Sequence, residues 1–538
     1  MAERRVAGRP AAPGLFEGAL HIEAEQAAAL HRVVEAGASG AAALRAAMAE
    51  AGAALAALAS RVTGDAAEII GFQLALLEVD ALTEGAFHAI EAGVPADAAF
   101  AAALDAEIND YQSSGDAVFA ARAADLMDLR DRVVQALRGE ANMRAPAGAI
   151  IAAPDFTPSR FLEHDWSQGG ALALSSGSAS GHVAILARSR GVPMLVGVAL
   201  AGLDDGATAL LDADAGLLIV DPGLQARAAF KLAREANAAA QARAQDFARR
   251  PGRTRDGAAI AVHLNVASLA DLDGLDPASC DGIGLTRTEF LFQGERLPDE
   301  ATQYEFYRRL LAWAQGRPVV IRTLDAGGDK PIKGVTLDGE SNPFLGLRGI
   351  RLSLANLEIF RVQLRALLRA SAHGDLRVML PMVTAPSELA AARALMGEEG
   401  ARLRGAGAVV GAPPLGIMVE VPACALALDL FDADFFSIGS NDLTQYVTAA
   451  GRDMASVAVL ADPAHPAVLR LIAHCARHGA RIGRSVSLCG DAAADPRLIP
   501  ALLDAGLRAF SVAPPFAGLV KQTIAGHDLK LTPKGEAP

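Results

Sequence analysis

Four arginines in the second half of the chain lie at or near the ends of short apolar segments. They are Arg287 in LTRTEF, Arg322 in VIRTLD, Arg348 in NPFLGLRGIR and Arg452 in AAGRDM. A guanidinium binds phosphate or carboxylate through two parallel, charge-assisted hydrogen bonds. Several such groups together indicate a small substrate with more than one negative group. The alternative, for any one of them, is an ion pair with a neighbouring acid.

Two acidic residues follow adjacent apolar segments in the same half of the chain, Glu420 in GIMVEVPA and Asp442 in SIGSND. Hard oxygen ligands from neighbouring strands suit Mg²⁺, which keeps several waters and takes substrate phosphate as a further ligand. Two solvated loop carboxylates are the alternative. Because the arginines recur beside them, we interpret the pair as a magnesium site.

His182 lies in SSGSASGHVAILAR, where a turn rich in glycine and serine leads into a helical stretch. A loop of small residues can present an imidazole to two different partners, and the neutral ring nitrogen is a competent phosphoryl acceptor. Taken alone, a loop histidine is more often an ordinary surface residue. Cys489, in LCGD, ends another apolar segment, and position alone favours a packing role because buried cysteines are usually inert.

These residues need a scaffold that brings strand ends together. From residue 257 onward, short apolar segments alternate with helical stretches, and the candidate strands are AIAVHLNV, GIGLTRTE, PVVIRTLD, LRVMLPM, LGIMVEV, FFSIGSND, VSLCGD and AFSVAP. Eight such strands predict a (β/α)₈ barrel, with a doubly wound sheet as the alternative. The polar residues favour the barrel, whose active site lies at the carboxyl ends of the strands. Those at predicted strand ends are Asn265, Arg287, Arg322, Met382, Glu420, Asn441, Asp442 and Cys489.

The first half of the chain contains two regions with different patterns of apolar residues. Residues 22–144 are rich in alanine and leucine at helical spacing and predict a helical subdomain. The flanking residues carry short apolar runs separated by glycine and serine, which predicts a small α/β domain. Asp221 and Pro222 are read as the cap and first residue of a helix that runs to Arg250. The predicted division is 1–21 with 145–228 (α/β), 22–144 (helical), 229–256 (linker helix), 257–525 (barrel) and 526–538 (polar tail).

Bulk composition excludes several classes of protein. A chain of 538 residues is too long to fold around a single hydrophobic core, so several domains are expected. A formal net charge of −13 argues against nucleic acid as the main partner. The four cysteines form no close-spaced metal pattern, and the sequence has neither a signal-peptide stretch nor a long uninterrupted apolar run. We therefore expect a cytoplasmic protein without membrane insertion.

Taken together, these segments resemble Enzyme I of the bacterial phosphoenolpyruvate-dependent phosphotransferase system. The resemblance spans nearly the whole chain and rests on GRPAAPGLFEG, RAADLMDLRDRVVQALRG, GIGLTRTEFLF, VIRTLDAGGDKPI, NPFLGLRGIR, QLRALLRASAHG, GIMVEVPA and DFFSIGSNDLTQY, in that order. It implies a multidomain α/β protein in which a swivelling phosphohistidine domain and a helical carrier-binding subdomain precede a phosphoenolpyruvate-binding barrel. It also implies a homodimer formed through the barrel.

The resemblance implies a Mg²⁺-dependent reaction in which phosphoenolpyruvate phosphorylates His182 and is released as pyruvate. The phosphate then passes to a histidine of an HPr-type carrier protein, the first step of a phosphorelay. The site residues carry over as follows: His182 as phosphohistidine; Arg287, Arg322 and Arg348 as phosphate ligands; Glu420 and Asp442 as Mg²⁺ ligands; Asn441 and Arg452 as substrate contacts; Cys489 as proton donor to the enolate carbon; and Lys330 as a further phosphate contact.

The chain departs from the family around His182, where members usually read Gly-Gly-x-Thr-Ser-His-Thr. Here a hydroxyl is kept at Ser180 but is absent at Gly181 and Val183, which bears on the transfer rate and the identity of the carrier. Two alternatives remain. A pyruvate phosphate dikinase or phosphoenolpyruvate synthase would need an ATP-binding domain, for which no stretch offers room, and a non-catalytic paralogue would bind carrier without turnover. The final acceptor (a sugar transport, nitrogen-regulatory or dihydroxyacetone kinase chain) stays open.

Overall fold

The structure is a computed structural model. It describes the chain apart from residues 1–2, 24–36, 60, 63–64, 78–79, 114–116, 140–144, 178–180, 293–295, 329, 331, 333, 338–339, 452–456, 458–459 and 530–538. The chain forms two compact units, Met1–Ala238 and Ala239–Pro538. Arg452, predicted to contact substrate, lies outside the described residues.

Five helices follow one another in the first unit: α1 (Gly37–Ala59), α2 (Asp65–Leu77), α3 (Asp80–Glu91), α4 (Ala96–Ser113) and α5 (Ala117–Arg138). Their apolar residues recur at three- and four-residue spacing and meet in a core that includes Leu44, Phe100 and Val133. The same core continues onto one face of a β-sheet through Ile151 and Leu172. The helices and the sheet therefore support each other within this unit.

Helix α1 has the length and composition of a membrane-spanning helix: it has 23 residues, and an 18-residue stretch of it has a mean hydropathy of 1.4. Much of that hydropathy comes from alanine. Leu44, Leu55 and Leu58 are buried in the core of the bundle, although only 28% of the apolar stretch is buried. One such helix is weak support for a membrane span, because alanine-rich helices of helical bundles have the same length and composition.

An eight-stranded sheet forms the rest of the first unit. Its strands are β1 (Arg4–Ala7), β2 (Arg9–Ala12), β3 (Leu15–Ile22), β4 (Ile150–Ala153), β5 (Ala171–Leu174), β6 (Met194–Val196), β7 (Thr208–Asp212) and β8 (Leu217–Val220). The order is β1-β8-β7-β3-β4-β5-β6-β2. Strands β3, β4, β5 and β6 pair in parallel at its centre. Two helices, α6 (Pro158–Glu163) and α7 (His182–Arg190), connect them.

The long helix after the sheet begins later than its sequence signals predict. Helix α8 spans Leu224–Ala248, and the backbone N–H of Arg227 donates to the carbonyl oxygen of Gly223. The interpretation of Asp221 as the helix cap was wrong, because Asp221 has a positive φ of 49° and makes a turn before the helix. The division between the two compact units falls within α8.

The second unit is a closed barrel of eight parallel strands, as predicted. The strands are β9 (Ala261–Val266), β10 (Ile283–Thr286), β11 (Val319–Arg322), β12 (Leu376–Leu380), β13 (Leu415–Val419), β14 (Phe436–Gly439), β15 (Val486–Cys489) and β16 (Ala509–Val512). Strand β16 pairs with β9 and closes the barrel. The doubly wound alternative is thereby excluded. Several strands are buried on both faces, which explains their continuous apolar runs.

Helices surround the barrel and complete its outer core. They are α9 (Glu300–Ala314), α10 (Ile350–Ala355), α11 (Leu357–Ala370), α12 (Pro386–Gly405), α13 (Pro422–Leu426), α14 (Ser440–Thr448), α15 (Pro466–Ile482), α16 (Ile499–Asp504) and α17 (Ala517–Gly526). The apolar face of α11, with Leu364 and Leu367, packs in the same core as the strand residues Ile321 and Val378. This shell holds the strand ends in place, and the loops after the strands carry the candidate site.

Candidate active site

A buried network of charges lies at the carboxyl ends of the barrel strands. Arg322 is the last residue of β11, and its Nη2 donates to Oε1 of Glu289 at 2.8 Å. Its Nη1 lies 3.1 Å from Oδ2 of Asp325, three residues further on. The side chain of Asp325 is fully buried. Arg322 is thereby fixed between two carboxylates rather than left to rotate.

Arg348 extends this network toward β14. Its guanidinium is fully buried and contacts Asp325 at 3.1 and 3.2 Å and Asp442 at 3.1 and 3.0 Å. The chain approaches closely here, because a Cβ at Gly327 would lie 2.8 Å from the carbonyl oxygen of Leu347. Two of the predicted phosphate ligands therefore share one acid, Asp325, and are held as a rigid pair.

The charges of this network stabilise one another. Burial alone would raise the pKa of Asp325, but Arg322, Lys330 and Arg348 hold it well below the ordinary value. Burial alone would lower the pKa of Arg348, yet Asp325 and Asp442 raise it. Asp325, Arg322 and Arg348 are therefore charged at neutral pH. A polyanionic ligand would meet cations whose positions are already set.

Three buried polar atoms in this region have no hydrogen-bond partner among the described residues: Nε of Arg322, Oγ1 of Thr286 and Oγ1 of Thr323. A buried donor without a partner costs about 1–3 kcal/mol. Such atoms in a functional site are commonly satisfied by a ligand or water. The open donor on Arg322 therefore fits an anionic substrate in addition to the acids it already contacts.

Glu420 follows β13 directly, and its carboxylate is buried among other acids. Oε1 accepts a 2.6 Å hydrogen bond from the backbone N–H of Met382, a residue with a positive φ of 56°. A Cβ at Gly439 would lie 2.7 Å from Oε2, so only glycine leaves room for this carboxylate. Burial, together with the nearby charges of Asp442 and Asp325, raises the pKa of Glu420 to about 8. The surroundings thus favour an added positive charge.

The donor set fits Mg²⁺, a hard cation that prefers oxygen ligands. Among the described residues, no group of three or more His, Cys, Asp or Glu side chains could hold a metal ion. Glu420 and Asp442 provide two carboxylates from neighbouring strand ends, and β13 and β14 pair directly. Mg²⁺ is commonly bound by one or two carboxylates, with waters and substrate phosphate completing its shell. Asp442, in the first turn of α14, would then share its oxygens between the metal and Arg348.

Cys489 ends β15 inside the barrel. Its Sγ donates to the carbonyl oxygen of Ile438 at 3.3 Å and accepts from Oγ of Ser437 at 3.7 Å. Burial raises the pKa of the thiol to about 11, with Glu420 raising it further and Arg322 opposing. The thiol therefore keeps its proton at neutral pH. A buried, protonated thiol beside cations can act as an acid, although its packing also fits an inert residue.

The remaining predicted contacts are more exposed. Arg287 follows β10 with an exposed side chain, and its guanidinium makes no hydrogen bond or ion pair within the described part of the chain. It is close enough to the thiol of Cys489 to lower the pKa of that group. Lys330 donates to Asp325 at 3.0 Å. Asn441 donates to Asp491 at 3.2 Å and accepts from the backbone N–H of that residue.

His182 lies in the first unit, at the first turn of α7. Gly181 is the residue that precedes the helix, and residues 178–180 of the loop lie outside the described residues. Nδ1 of His182 lies 3.1 Å from Oδ1 of Asp125, a fully buried residue of α5. An ionised carboxylate can only accept this bond, so in the neutral ring Nδ1 carries the proton and Nε2 keeps its lone pair. The side chain of His182 is 22% exposed, so the ring is accessible at its edge.

Sequence reasoning missed the acids that position the site. Glu289 and Asp325 each stand two or three residues after a predicted arginine, in LTRTEF and VIRTLD, so their spacing offered a signal. Asp125 offered none, because it is one of several acids in a helical stretch and stands 57 residues before His182. Its contact depends on how α5 packs beside the sheet.

Three segments of the chain match domains of known protein families, and together they cover most of its length. Residues 241–529 match the PEP-binding domain of PEP-utilising enzymes. Residues 145–216 match the mobile domain of the same enzymes, and residues 7–122 match their N-terminal domain. With the closed barrel and its buried arginines, these matches define the class: a phosphoenolpyruvate-utilising enzyme.

Whole-chain relatives narrow the class. The phosphoenolpyruvate-protein phosphotransferase of Haloferax volcanii is 38% identical over 482 residues, which is 87% of this chain and 84% of that protein. Proteins of the same name are 35% identical in Listeria innocua, over 84% of this chain and 80% of that protein, and 37% identical in Bacillus subtilis, over 75% and 72%. The chain belongs to the phosphoenolpyruvate-protein phosphotransferase family. It is a transferase, and its relatives support phosphoenolpyruvate-dependent phosphotransfer.

Proposed function

We propose that the chain transfers phosphate from phosphoenolpyruvate to His182 and then to a histidine of an HPr-type carrier, releasing pyruvate. The observation that carries the proposal is the meeting of Arg322, Arg348, Glu420 and the protonated thiol of Cys489 at one end of the barrel. Cleavage of phosphoenolpyruvate requires cations that bind the phosphate and a proton donor, here the Cys489 thiol, beside them. Phosphoryl transfer depends mainly on positioning and charge neutralisation.

The acceptor step uses Nε2 of His182. The carboxylate of Asp125 accepts a hydrogen bond from Nδ1–H of the ring. This bond orients the imidazole and leaves the Nε2 lone pair free to attack the phosphorus atom. The bond from phosphorus to the enol oxygen breaks as the bond to Nε2 forms. Asp125 also stabilises the positive charge that the ring carries in the phosphorylated state. Asp125 is thus a positioning residue.

Different barrel residues act on the phosphate group and on the enolpyruvate part of the substrate. Arg322 and Arg348 neutralise phosphate, and the exposed guanidinium of Arg287 is available for a further anionic oxygen. The leaving group is enolpyruvate, whose carbon takes a proton from the Cys489 thiol and becomes pyruvate. The thiolate left behind is reprotonated from water. Asn441 and Lys330 are further substrate contacts in this proposal, and Arg452 is assigned by family resemblance alone.

Glu420 and Asp442 would hold Mg²⁺ in this mechanism. An ion held there would supply positive charge that neutralises the phosphate group. The raised pKa of Glu420, which burial and the charges of Asp442 and Asp325 cause, supports this assignment because a cation would relieve the repulsion.

The carrier-binding surface is proposed to lie on the helices between residues 22 and 144. The domain division 1–21 with 145–228, 22–144, 229–256, 257–525 and 526–538 is likewise proposed. The core that the helices share with the sheet supports a single unit that presents His182 and a carrier surface together. A homodimer through the barrel and a cytoplasmic location belong to the same proposal.

The direct test supplies phosphoenolpyruvate, Mg²⁺ and an HPr-type carrier to the full chain. We expect pyruvate release, an acid-labile phosphoprotein whose phosphate maps to His182, and phosphorylation of the carrier. Carrier binding without pyruvate release would favour the non-catalytic paralogue. Pyruvate release that required AMP and pyrophosphate or phosphate, rather than carrier, would favour a dikinase-type enzyme.

A further inference from the structure

A second basic cavity lies at the opposite end of the barrel from the charges described above. It has a volume of about 570 Å³ and lies between the C-terminal half of α12 and the amino ends of strands β12 to β15. Its lining includes Arg377, Arg393, Arg404 and Arg484. Small-molecule sites commonly have volumes of roughly 300–1,000 Å³. The cavity therefore has room for a metabolite-sized ligand.

The arginines outnumber the acids that neutralise them. Arg377 is paired with Asp375 at 2.9 Å. Asp434 is shared by Arg393 at 3.6 Å and Arg484 at 3.4 Å, which are long contacts. The guanidinium of Arg404 makes no ion pair or hydrogen bond with any described residue. An excess of two positive charges thus lines this cavity, in a chain with a formal net charge of −13.

Small residues keep the cavity open around these guanidinium groups. A Cβ at Gly397 would meet nothing within 4 Å, and a Cβ at Gly400 would lie 3.4 Å from Nη1 of Arg404. The lining also includes Gly411, Ala412, Pro413 and Pro414, which contribute no charge. The space beside Arg404 is therefore free for a ligand rather than filled by side chains.

A smaller cavity of about 350 Å³ adjoins the first and shares Arg377, Phe435, Arg484 and Ser485 with it. It adds Arg508, which donates to the carbonyl oxygens of Leu503 and Leu507. It also adds His263, which contributes a polar side chain to the lining of the smaller cavity.

We propose that these two cavities form one binding site for a small polyanion with at least two phosphate or carboxylate groups. Guanidinium groups bind both kinds of anion through paired hydrogen bonds. The barrel strands are four to six residues long, which separates this site from the charged network by roughly 13–20 Å. A ligand bound here would not compete directly with phosphoenolpyruvate.

The test measures binding of two probes, inorganic pyrophosphate and citrate, to the full chain by calorimetry in Mg²⁺-free buffer. We compare the wild type with Arg404→Ala and with the double variant Arg404→Ala/Arg484→Ala. Arg402→Ala is the matched control, because it lies on the same helix with a side chain that is 73% exposed and does not line the cavity. Removing one charge-assisted contact should weaken binding roughly tenfold or more.

We expect at least one probe to bind the wild type and Arg402→Ala equally, and both Arg404 variants more weakly. The probe that binds better distinguishes a phosphate ligand from a carboxylate ligand. Turnover of phosphoenolpyruvate should be unchanged in all variants, and excess phosphoenolpyruvate should not displace the probe. Equal affinity in all four proteins, or displacement by phosphoenolpyruvate, would place the anion elsewhere and overturn the proposal. Arg404→Ala alone keeps the test valid if the double variant fails to fold, because Arg404 pairs with no described acid.

Discussion

Nδ1 of His182 lies 3.1 Å from Oδ1 of Asp125, although the two residues belong to different layers of the first unit. His182 begins a helix beside the sheet, and Asp125 is buried within the long helix α5. The contact selects the ring nitrogen that keeps a lone pair. It therefore connects the packing of the helical bundle to the chemistry of the acceptor.

Substitution of the acceptor and of its partner should have different effects. His182→Ala should abolish the acid-labile phosphoprotein formed with phosphoenolpyruvate. Asp125→Asn should keep the label but slow its formation by about 10–100-fold, the usual effect of losing a partner that orients a functional histidine. Stopped-flow or quench measurements of phosphoprotein formation provide the test. Asp131→Asn, on the same helix and paired with Arg130, is the control and should be near wild type.

Label that persists in His182→Ala, or that maps to another histidine, would contradict the assignment of the acceptor. A wild-type rate in Asp125→Asn would instead show that the carboxylate is a packing feature only. The pH profile separates orientation from instability, because an Asp125 variant that is folded but misorients the ring should change its pH dependence.

Glu420→Gln should impair Mg²⁺-dependent turnover far more than folding. The amide oxygen can still accept from the backbone N–H of Met382, so the change removes mainly the charge. Loss of a metal ligand should cost several kcal/mol in the transition state, or a factor of about 10² or more in turnover. Turnover measured against Mg²⁺ concentration is the readout, with the surface variant Glu398→Gln as control.

Asp442→Asn should also impair Mg²⁺-dependent turnover, but this change weakens the contact with Arg348 as well. Unchanged Mg²⁺ dependence in both would contradict the metal assignment.

Cys489→Ser should still bind phosphoenolpyruvate, because the arginines are untouched. The serine hydroxyl can donate to the carbonyl oxygen of Ile438 as the thiol does, so the fold should be kept. Pyruvate formation should slow by about 10²–10⁴-fold, the contribution expected of a positioned general acid. Phosphate transfer to His182 can continue while enolpyruvate takes its proton from water. Steady-state turnover and substrate affinity are measured together, with Cys475→Ser as a buried control outside the site. Wild-type turnover in Cys489→Ser would show that Cys489 is a packing residue and not the proton donor.

Asp325→Asn should destabilise the barrel. The carboxylate is fully buried and contacts Arg322, Lys330 and Arg348, which keep its pKa well below the ordinary value although burial opposes this. Removing one member of a buried ion network typically costs about 3–5 kcal/mol, because the remaining charges stay buried without compensation. Scanning calorimetry of the barrel transition is the test. Glu305→Gln, which breaks a solvent-exposed pair with Arg308, should cost about 0–1 kcal/mol. Equal effects of the two changes would contradict this account.

The first compact unit should bind the carrier by itself. A fragment of residues 1–238 contains the helices α1 to α5, the sheet and His182, and it has its own hydrophobic core. We expect it to bind an HPr-type carrier as the full chain does, whereas residues 239–538 should not. Titration of labelled carrier with each fragment is the measurement. Full carrier binding by the barrel fragment would contradict the proposed carrier surface.

The sequence by itself determined the barrel and where its polar residues stand. All eight predicted strands form, because short apolar runs such as VVIR and LGIMV suit strands that are buried on both faces. Since parallel strands end at one edge, Arg322, Glu420 and Cys489 were predictable as neighbours. Family motifs added chemical roles to these positions, and those roles stay predictions until they are measured.

Only the tertiary structure decided how the charges are paired. Arg322 and Arg348 share Asp325, and Asp125 supports His182, because contacts between distant segments depend on how whole elements pack. The edge strands β1 and β2 were not predicted, since their short runs RRVA and RPAA lack a strand pattern until neighbouring strands pair with them. Local sequence signals specify which elements form, whereas long-range packing specifies which side chains meet.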